Sequence, residues 1–148
     1  MPYKIFMLRV NFFKRIKSPW TLSGVKKVLR IARKLLKLSG EVEVSVIGEK
    51  EMKELNFRYR GKNKVTDVLS FAWQEDKKVK SEFLGQIYIC YPQIARQAAE
   101  LSVNVKEEFA RMLTHGLLHI MGYDHVKKQD AKKMFKIQEE IVCLYAGC

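Results

Sequence analysis

The segment His115-Gly-Leu-Leu-His119-Ile-Met-Gly-Tyr-Asp-His125 contains all three histidines of this 148-residue chain. His115 and His119 are four residues apart, so a helix would place their imidazoles on one face, about one turn apart. Gly122 tolerates the left-handed conformation that ends helices, and the chain can then bring His125 back toward the other two rings. Unpaired buried imidazoles would each cost about 1–3 kcal/mol, and one metal ion satisfies all three. Three converging imidazoles with a fourth position left to water are typical of a catalytic zinc site.

The segment that leads into these histidines predicts a largely buried helix. Asn104 and Glu107 have the spacing of a capping box, so we predict that the helix begins at Asn104. Apolar residues surround the histidines along this segment, which is typical of a buried helix. Gly116 costs about 1 kcal/mol relative to alanine within a helix, so its presence indicates that a strand or a substrate passes close by.

The remaining chain alternates between helical and extended patterns. An amphipathic helix with one strongly basic face begins at the capping residue Thr21, and Gly40 is predicted to stop it. The predicted helices cover residues 21–38, 50–59, a segment from Pro92 onward, and 127–145. The predicted strands cover residues 41–47, 67–71 and 83–89, and the polar segment 74–81 is predicted to be an exposed loop. This order predicts an α+β fold, a small mixed β-sheet packed with helices, with the metal helix beside a cleft.

The length of the chain and its cysteine content are typical of one domain in a reducing compartment. A chain of this size can bury about 68–70% of its unfolded surface, and we expect a single hydrolase domain over residues 1–148. The three cysteines are odd in number and none has CxxC spacing, which favours a reducing cytosol and argues against a disulfide framework or a cysteine-rich zinc cluster. No uncharged apolar run of about 18 residues is present, so we expect a cytoplasmic protein.

The chain is strongly basic, with 28 lysines and arginines against 16 acidic residues and a formal net charge of +12. One interpretation is attraction to a polyanion, most often a nucleic acid. The other is a solvated lysine-rich surface of the kind found in heat-adapted proteins. The same two interpretations apply to the basic face of the helix over residues 21–38.

The histidine segment resembles two families. It has the ligand spacing of the metzincin proteases, but Gly116 stands where their general-base glutamate would be. It matches the YbeY family more fully, with the signature His-Gly-x-Leu-His-x-x-Gly-x-Asp-His. Over residues 40–145 the chain also resembles this family's other motifs, Leu55-Asn-x-x-Tyr-Arg60, Thr66-Asp-Val-Leu-Ser-Phe71 and Leu84-Gly-x-Ile87. Gln86 departs from the pattern, because the family commonly has aspartate there.

The resemblance implies a zinc-dependent, single-strand-specific endoribonuclease that acts in ribosomal RNA maturation, notably at the 3′ end of 16S ribosomal RNA, and in ribosome quality control. His115, His119 and His125 would bind one zinc ion in a helix like that of the zincins. Arg60 matches the catalytic arginine of the family, and a guanidinium suits the charge that gathers on an attacked phosphodiester. Lys62 and Lys64 are predicted to bind flanking phosphates. The expected partners are single-stranded RNA, ribosomal RNA and the ribosome, with no membrane and no DNA.

Two alternatives remain open at the level of sequence. A zinc peptidase would use the same ligand spacing, although Gly116 leaves it without the carboxylate that activates water. A non-enzymatic ribosome-binding factor could use the metal only to hold its fold. That second alternative requires a fourth protein ligand on the metal, and only a carboxylate or a folded-back cysteine could supply it.

Overall fold

The computed structural model of the chain describes residues 7–73, 82–124 and 126–148. Within these ranges four strands and five helices follow one another in a mixed order. They are β1 (Leu8–Lys14), α1 (Leu22–Leu36), β2 (Gly40–Ile47), α2 (Glu49–Arg60), β3 (Val68–Ala72), β4 (Phe83–Cys90), α3 (Tyr91–Leu101), α4 (Val105–Ile120) and α5 (Lys128–Ala146). None of these helices is both long and apolar enough to cross a lipid bilayer.

The four strands form one mixed sheet in the order β1-β2-β4-β3. β1, β2 and β4 run parallel, and β3 pairs antiparallel with β4 at the edge. Helices α1, α4 and α5 contribute to the larger core on one face of the sheet, where valines of β2 and isoleucines of β4 are fully buried. On the opposite face, Met52 of α2 packs with Ile47, Leu69 and Cys90. The predicted α+β fold with a small mixed sheet is confirmed.

Local sequence signals set most of the helix boundaries. The Thr21 hydroxyl accepts a hydrogen bond from the Gly24 amide and caps α1. The Asn104 side chain accepts from the amides at the start of α4, as predicted. The predicted stop of α1 at Gly40 is wrong, because α1 ends at Lys37 in the left-handed conformation (φ 53°). Gly40 instead begins β2, where its φ of +132° and an adjacent backbone carbonyl leave no room for a side chain.

Strand β1 has no counterpart among the predicted elements. Leu8, Val10 and Phe12 alternate with residues that face outward, and the strand pairs with β2 along its whole length. Because β1 lies at the sheet edge, its inward side chains are only half-buried, and Phe13 is exposed although it is apolar. Because Phe12 and Phe13 are both apolar, the alternation of apolar and polar residues that identifies a strand is interrupted here. The predicted loop at 74–81 lies outside the described residues.

One local disulfide is present, although the cysteine count argues against a disulfide framework. Cys143 and Cys148 are bonded to each other at the C-terminal end of α5. Gly147 ends this helix with a φ of +105°, and the amide of Cys148 then donates to the carbonyl of Cys143 over 2.9 Å. This turn brings together two cysteines that are five residues apart, a spacing that a search for CxxC motifs does not detect. Cys90 remains a free, buried thiol whose pKa is raised by burial.

Gly116 allows α4 to lie directly against the sheet. A Cβ atom at this position would be 2.9 Å from Cγ2 of Ile87 and 3.3 Å from Cγ2 of Val68. The prediction that a neighbouring strand approaches this glycine is therefore confirmed. The contact fixes the distance between α4 and the two strands β3 and β4.

We expect Gly116→Ala to destabilise the protein, because the added methyl group must displace Ile87 or separate α4 from the sheet. Overpacking of this kind costs about 1–3 kcal/mol and exceeds or cancels the roughly 1 kcal/mol that alanine contributes to a helix. The free energy of unfolding in urea measures the balance. A stabilisation of about 1 kcal/mol, as helix propensity alone would give, would contradict the close contact.

Candidate metal centre and cleft

A cleft of about 730 Å³ opens between the edge strand β3, the end of α2 and the histidine helix α4. Its walls bring together residues that are far apart in sequence. They are Tyr59, Arg60, Thr66, Asp67, Val68, Leu69, Ser70, Phe71, Ala72, His115 and His119. Two of the three predicted metal ligands and the predicted catalytic arginine therefore line one space.

The two histidines of α4 present their Nε2 atoms to each other at 3.0 Å. Their rings are nearly perpendicular, with centroids 4.6 Å apart. Two imidazoles bound to one tetrahedral zinc ion would have nitrogens about 3.3 Å apart, since each Zn–N bond is about 2.0–2.1 Å. The donor type and the separation of these nitrogens therefore fit a shared zinc ion.

Arg60 is the last residue of α2, and Gly61 ends that helix in the left-handed conformation. The Arg60 guanidinium donates through Nη2 to the carbonyl of Ser70 over 3.2 Å and lies 5.5 Å from the centre of the Phe71 ring. The bond to Ser70 uses one of five guanidinium N–H donors. The side chain is thus held along β3 and faces the same cleft as the histidines.

The comparisons with known proteins agree on one family. A sequence model described as Endoribonuclease YbeY matches residues 13–146. The chain belongs to the YbeY family. Curated relatives named Endoribonuclease YbeY include one from Thermodesulfovibrio yellowstonii, 36% identical, with 86% of this chain and 88% of the relative covered. Another, from Malacoplasma penetrans, is 33% identical, with 93% of this chain and 95% of the relative covered.

Coverage varies among the other matches to the YbeY family. The match to the Ureaplasma parvum serovar 3 relative is 42% identical over 100 residues, and the chain spans 64% of that protein's length. A Thermotoga maritima protein with a known solution structure is similar in fold, with a TM-score of 0.66 and 28% identity. That alignment covers 95% of this chain and 90% of the other. The resemblance to the family identified from the motifs is confirmed.

His125, the third predicted ligand of this YbeY chain, lies outside the described residues. Among the ranges that the structure describes, no group of three His, Cys, Asp or Glu side chains is placed to hold a metal. The assignment of His125 therefore stays a prediction. Asp124, beside it, accepts a hydrogen bond from the amide of Val126 over 2.9 Å, so its carboxylate stabilises the turn after α4.

Gln138 of α5 orients the first histidine. Its Oε1 lies 2.8 Å from Nδ1 of His115, and its Nε2 donates to Glu139 over 3.2 Å, which fixes the direction of the amide. Because Oε1 only accepts, Nδ1 of His115 carries the proton and Nε2 has its lone pair toward the cleft. This is the tautomer that binds a metal through Nε2. Gln138 was not selected from the sequence. It lies four positions after Met134, on the apolar face of the predicted helix, and a polar residue on such a face could have indicated a buried hydrogen bond.

A charged network lies behind this amide. Arg111 of α4 donates to both carboxylate oxygens of Glu139 on α5 and to Glu108, which is only 2% exposed. The hydrogen bond from Arg111 lowers the pKa of Glu139, and the bond to Glu139 in turn raises the pKa of Arg111. The network connects α4 to α5 next to the histidines.

Lys62 and Lys64, the two predicted phosphate ligands, are exposed and are not among the residues that line the cleft. The turn that carries them is held by Asn56, a buried residue of α2. Its side chain donates to the carbonyl of Lys64 over 2.8 Å, and its carbonyl accepts from the amide of Lys62 over 3.3 Å. The roles of both lysines stay predictions. Asn56 belongs to the motif Leu55-Asn-x-x-Tyr-Arg60, and its role in that motif is to hold this turn.

Two further cleft residues were not selected from the sequence. Tyr59 is 57% exposed, and its ring meets Phe71 edge-on with centroids 5.1 Å apart. Asp67 accepts hydrogen bonds from the amide of Val68 over 2.8 Å and from Gln97 over 3.2 Å, so it fixes the start of β3. In the sequence, Tyr59 directly precedes Arg60, and Asp67 directly precedes β3. These two positions could have identified them as candidate cleft residues.

We expect Arg111→Met to lower stability strongly at neutral pH, by about 3–5 kcal/mol, because buried Glu108 would lose its cation. The depressed pKa of Glu139 makes its contribution present above about pH 4 and lost as pH falls through the folded-state pKa. The difference between wild type and variant should therefore shrink in acid. Urea denaturation at several pH values measures it.

Arg96→Met is the matched control for this experiment, because Arg96 pairs with Glu49 at the exposed surface. Surface pairs contribute about 0–1 kcal/mol, so this variant should be close to wild type. Equal losses in the two variants would contradict a special role for the Arg111 network.

Proposed function

We propose that this protein is a zinc-dependent endoribonuclease that cleaves single-stranded RNA. The observation that carries the proposal is the joint position of His115, His119 and Arg60 on the walls of one cleft. A metal site with an open position and a guanidinium on the facing wall are the two groups that phosphodiester cleavage needs. The names of the curated relatives support the same reaction class.

His115, His119 and His125 would hold one zinc ion. When bound, zinc lowers the pKa of its water to about 7 and polarises a phosphoryl oxygen. The chain's own part is to supply neutral imidazoles with the correct nitrogen exposed. Gln138 does this for His115 by accepting the Nδ1 proton, and the Arg111–Glu139 pair holds Gln138 in place.

Arg60 would bind the scissile phosphate and stabilise the negative charge that develops on it. Its contacts with Ser70 and Phe71 limit the freedom of the side chain before substrate binds, which lowers the entropy cost of recognition. A guanidinium can bind two phosphate oxygens at once, whereas an ammonium acts as a point charge.

Single-stranded RNA suits the walls of this cleft. Tyr59 has an exposed ring beside Arg60, and unstacked bases bind to exposed aromatic rings with a contribution of about 1–3 kcal/mol each. Bases in a duplex are already stacked and cannot reach such a ring without unpairing. From the family resemblance we further propose ribosomal RNA as the substrate, the 3′ end of 16S ribosomal RNA as the target, and ribosome quality control in the cytoplasm as the setting.

The geometry disfavours a peptidase and a structural metal whose fourth ligand is a cysteine. A general-base glutamate at position 116, as in the metzincins, would have its Cβ pressed against Ile87 and Val68, where the packing leaves no room for a side chain. A structural metal with a cysteine ligand is disfavoured because Cys143 and Cys148 are bonded to each other, and Cys90 is buried on the opposite face of the sheet.

We expect His115→Ala and His119→Ala to lose bound zinc and RNA cleavage together, because each removes a ligand. Gln138→Leu should keep the ligands but weaken zinc binding by about 10- to 100-fold, since the orientation of His115 is lost. Metal analysis and a zinc titration measure both effects. Gln129→Leu, at an exposed glutamine on the same helix, is the control. Full RNA cleavage by metal-free protein, or cleavage of peptides without cleavage of RNA, would contradict the proposal.

We expect Arg60→Ala to keep its zinc and to lower kcat for RNA cleavage by about 10²- to 10³-fold, because transition-state charge loses its donor. Arg60→Lys should recover only part of this loss, since lysine cannot form the bidentate contact. Arg58→Ala removes an exposed arginine two residues earlier and should change kcat little. Equal kcat values for the Arg58 and Arg60 variants would refute the role of Arg60.

A further inference from the structure

A second concave surface, here called the β1–α1 groove, lies at the sheet edge opposite the cleft. It has a volume of about 360 Å³ and lies between the edge strand β1 and helix α1. Its lining is half apolar and half basic. The lining residues are Met7, Leu8, Arg9, Val10, Lys26, Leu29, Arg30 and Arg33.

Among the described residues that line the groove, every charged side chain is basic. Strand β1 carries two basic residues and α1 carries five, and neither element contains an acidic residue. Lys26, Arg30 and Arg33 are spaced four and then three residues apart, so they form one stripe along the helix. The apolar floor lowers the local dielectric constant and concentrates the field of these cations within the groove.

Two charges next to this stripe make contacts of their own. Lys27, one position away, is used within the fold, because its ammonium donates to the carbonyl of Tyr145 and lies over that ring. Arg9 pairs with the exposed carboxylate of Glu82, a weak surface contact that an anion can replace. Like charges four residues apart on a helix, such as Lys26 and Arg30, repel each other and destabilise the helix. A bound anion would relieve this repulsion.

We propose that the β1–α1 groove is a second RNA-binding site, which takes the phosphodiester backbone of the substrate outside the segment held in the cleft. The inference rests on the proposed ribonuclease function, which supplies a polyanionic partner for a groove of this charge. β1 and β3 are separated by three strand spacings, about 14 Å, with the helical layer on one face. Single-strand binding sites take about four nucleotides or more, so an oligonucleotide of four fills one site only, whereas a longer RNA can occupy the cleft and the groove together.

The test compares Lys26→Gln/Arg30→Gln with Lys50→Gln/Lys53→Gln. The control pair removes the same charge from exposed positions on α2, which packs on the other face of the sheet. All four side chains are exposed, so both variants should fold, with a Tm equal to or slightly above that of wild type because like charges have been removed. Binding of a single-stranded RNA of about 30 nucleotides is measured with zinc chelated, at several salt concentrations, and cleavage is measured with zinc present.

We expect the groove variant to bind the long RNA about tenfold more weakly at low salt. The slope of log Kd against log salt should fall by about 1.4, because two phosphate contacts of about 0.7 each are lost. Cleavage of the four-nucleotide substrate should match wild type. The control variant should show neither change.

Equal binding by the two variants would overturn the groove as an RNA site. The RNA site would be rejected as well if the groove variant lost affinity only for vesicles containing phosphatidylserine, because the partner would then be a membrane surface. Failure of the ribonuclease proposal is distinguishable from failure of the groove proposal. In the first case wild-type protein would cleave neither the long nor the short RNA, and the binding measurement would still test whether the groove binds RNA.

Discussion

The contact between α4 and the sheet at Gly116 is the constraint on which the site depends. Any larger residue would push this helix away from Ile87 and Val68. With glycine, the face of α4 that carries His115 and His119 lies beside the edge strand β3. Arg60 reaches the same cleft because it donates to Ser70 of that strand. The strand thus positions the cation, and the helix positions the imidazoles, in the lining of one cleft.

The electrostatics behind the histidines follow from the same helix packing. Glu108 is buried where α4 meets α5, and a buried carboxylate is stable only with a cation and hydrogen bonds. Arg111 supplies the cation and also binds Glu139, so α5 is held at the angle that presents Gln138 to His115. The stability of the helix pair and the tautomer of His115 are therefore coupled. This coupling explains why polar residues occupy a helix face that could otherwise be apolar.

Sequence patterns predicted the parts of the molecule that depend on local interactions. Histidine spacing, the caps Thr21 and Asn104, and the cost of Gly116 each involve neighbours in the chain, and the structure agrees with the caps and with the close packing at Gly116. Features that depend on tertiary contacts were missed. An edge strand such as β1 shows only half of the expected burial pattern. Gln138 and the bond between Cys143 and Cys148 require knowledge of which helix meets which, or of how a helix ends.

From the sequence, the excess positive charge could mean attraction to a polyanion or a solvated lysine-rich surface. The fold shows what individual basic residues contact. Lys27 supports a tertiary contact with Tyr145, and Arg111 neutralises a buried carboxylate, so these charges stabilise the folded chain. Lys26 and Arg30 face a groove with an apolar floor and no acidic residue on either bordering element. Cations that repel one another in a concave site raise the energy of the free protein, and that energy is recovered only when an anion binds. The 28 lysines and arginines thus include some that stabilise the fold and others that remain as surface charge, and only the second kind can draw a polyanion toward the protein.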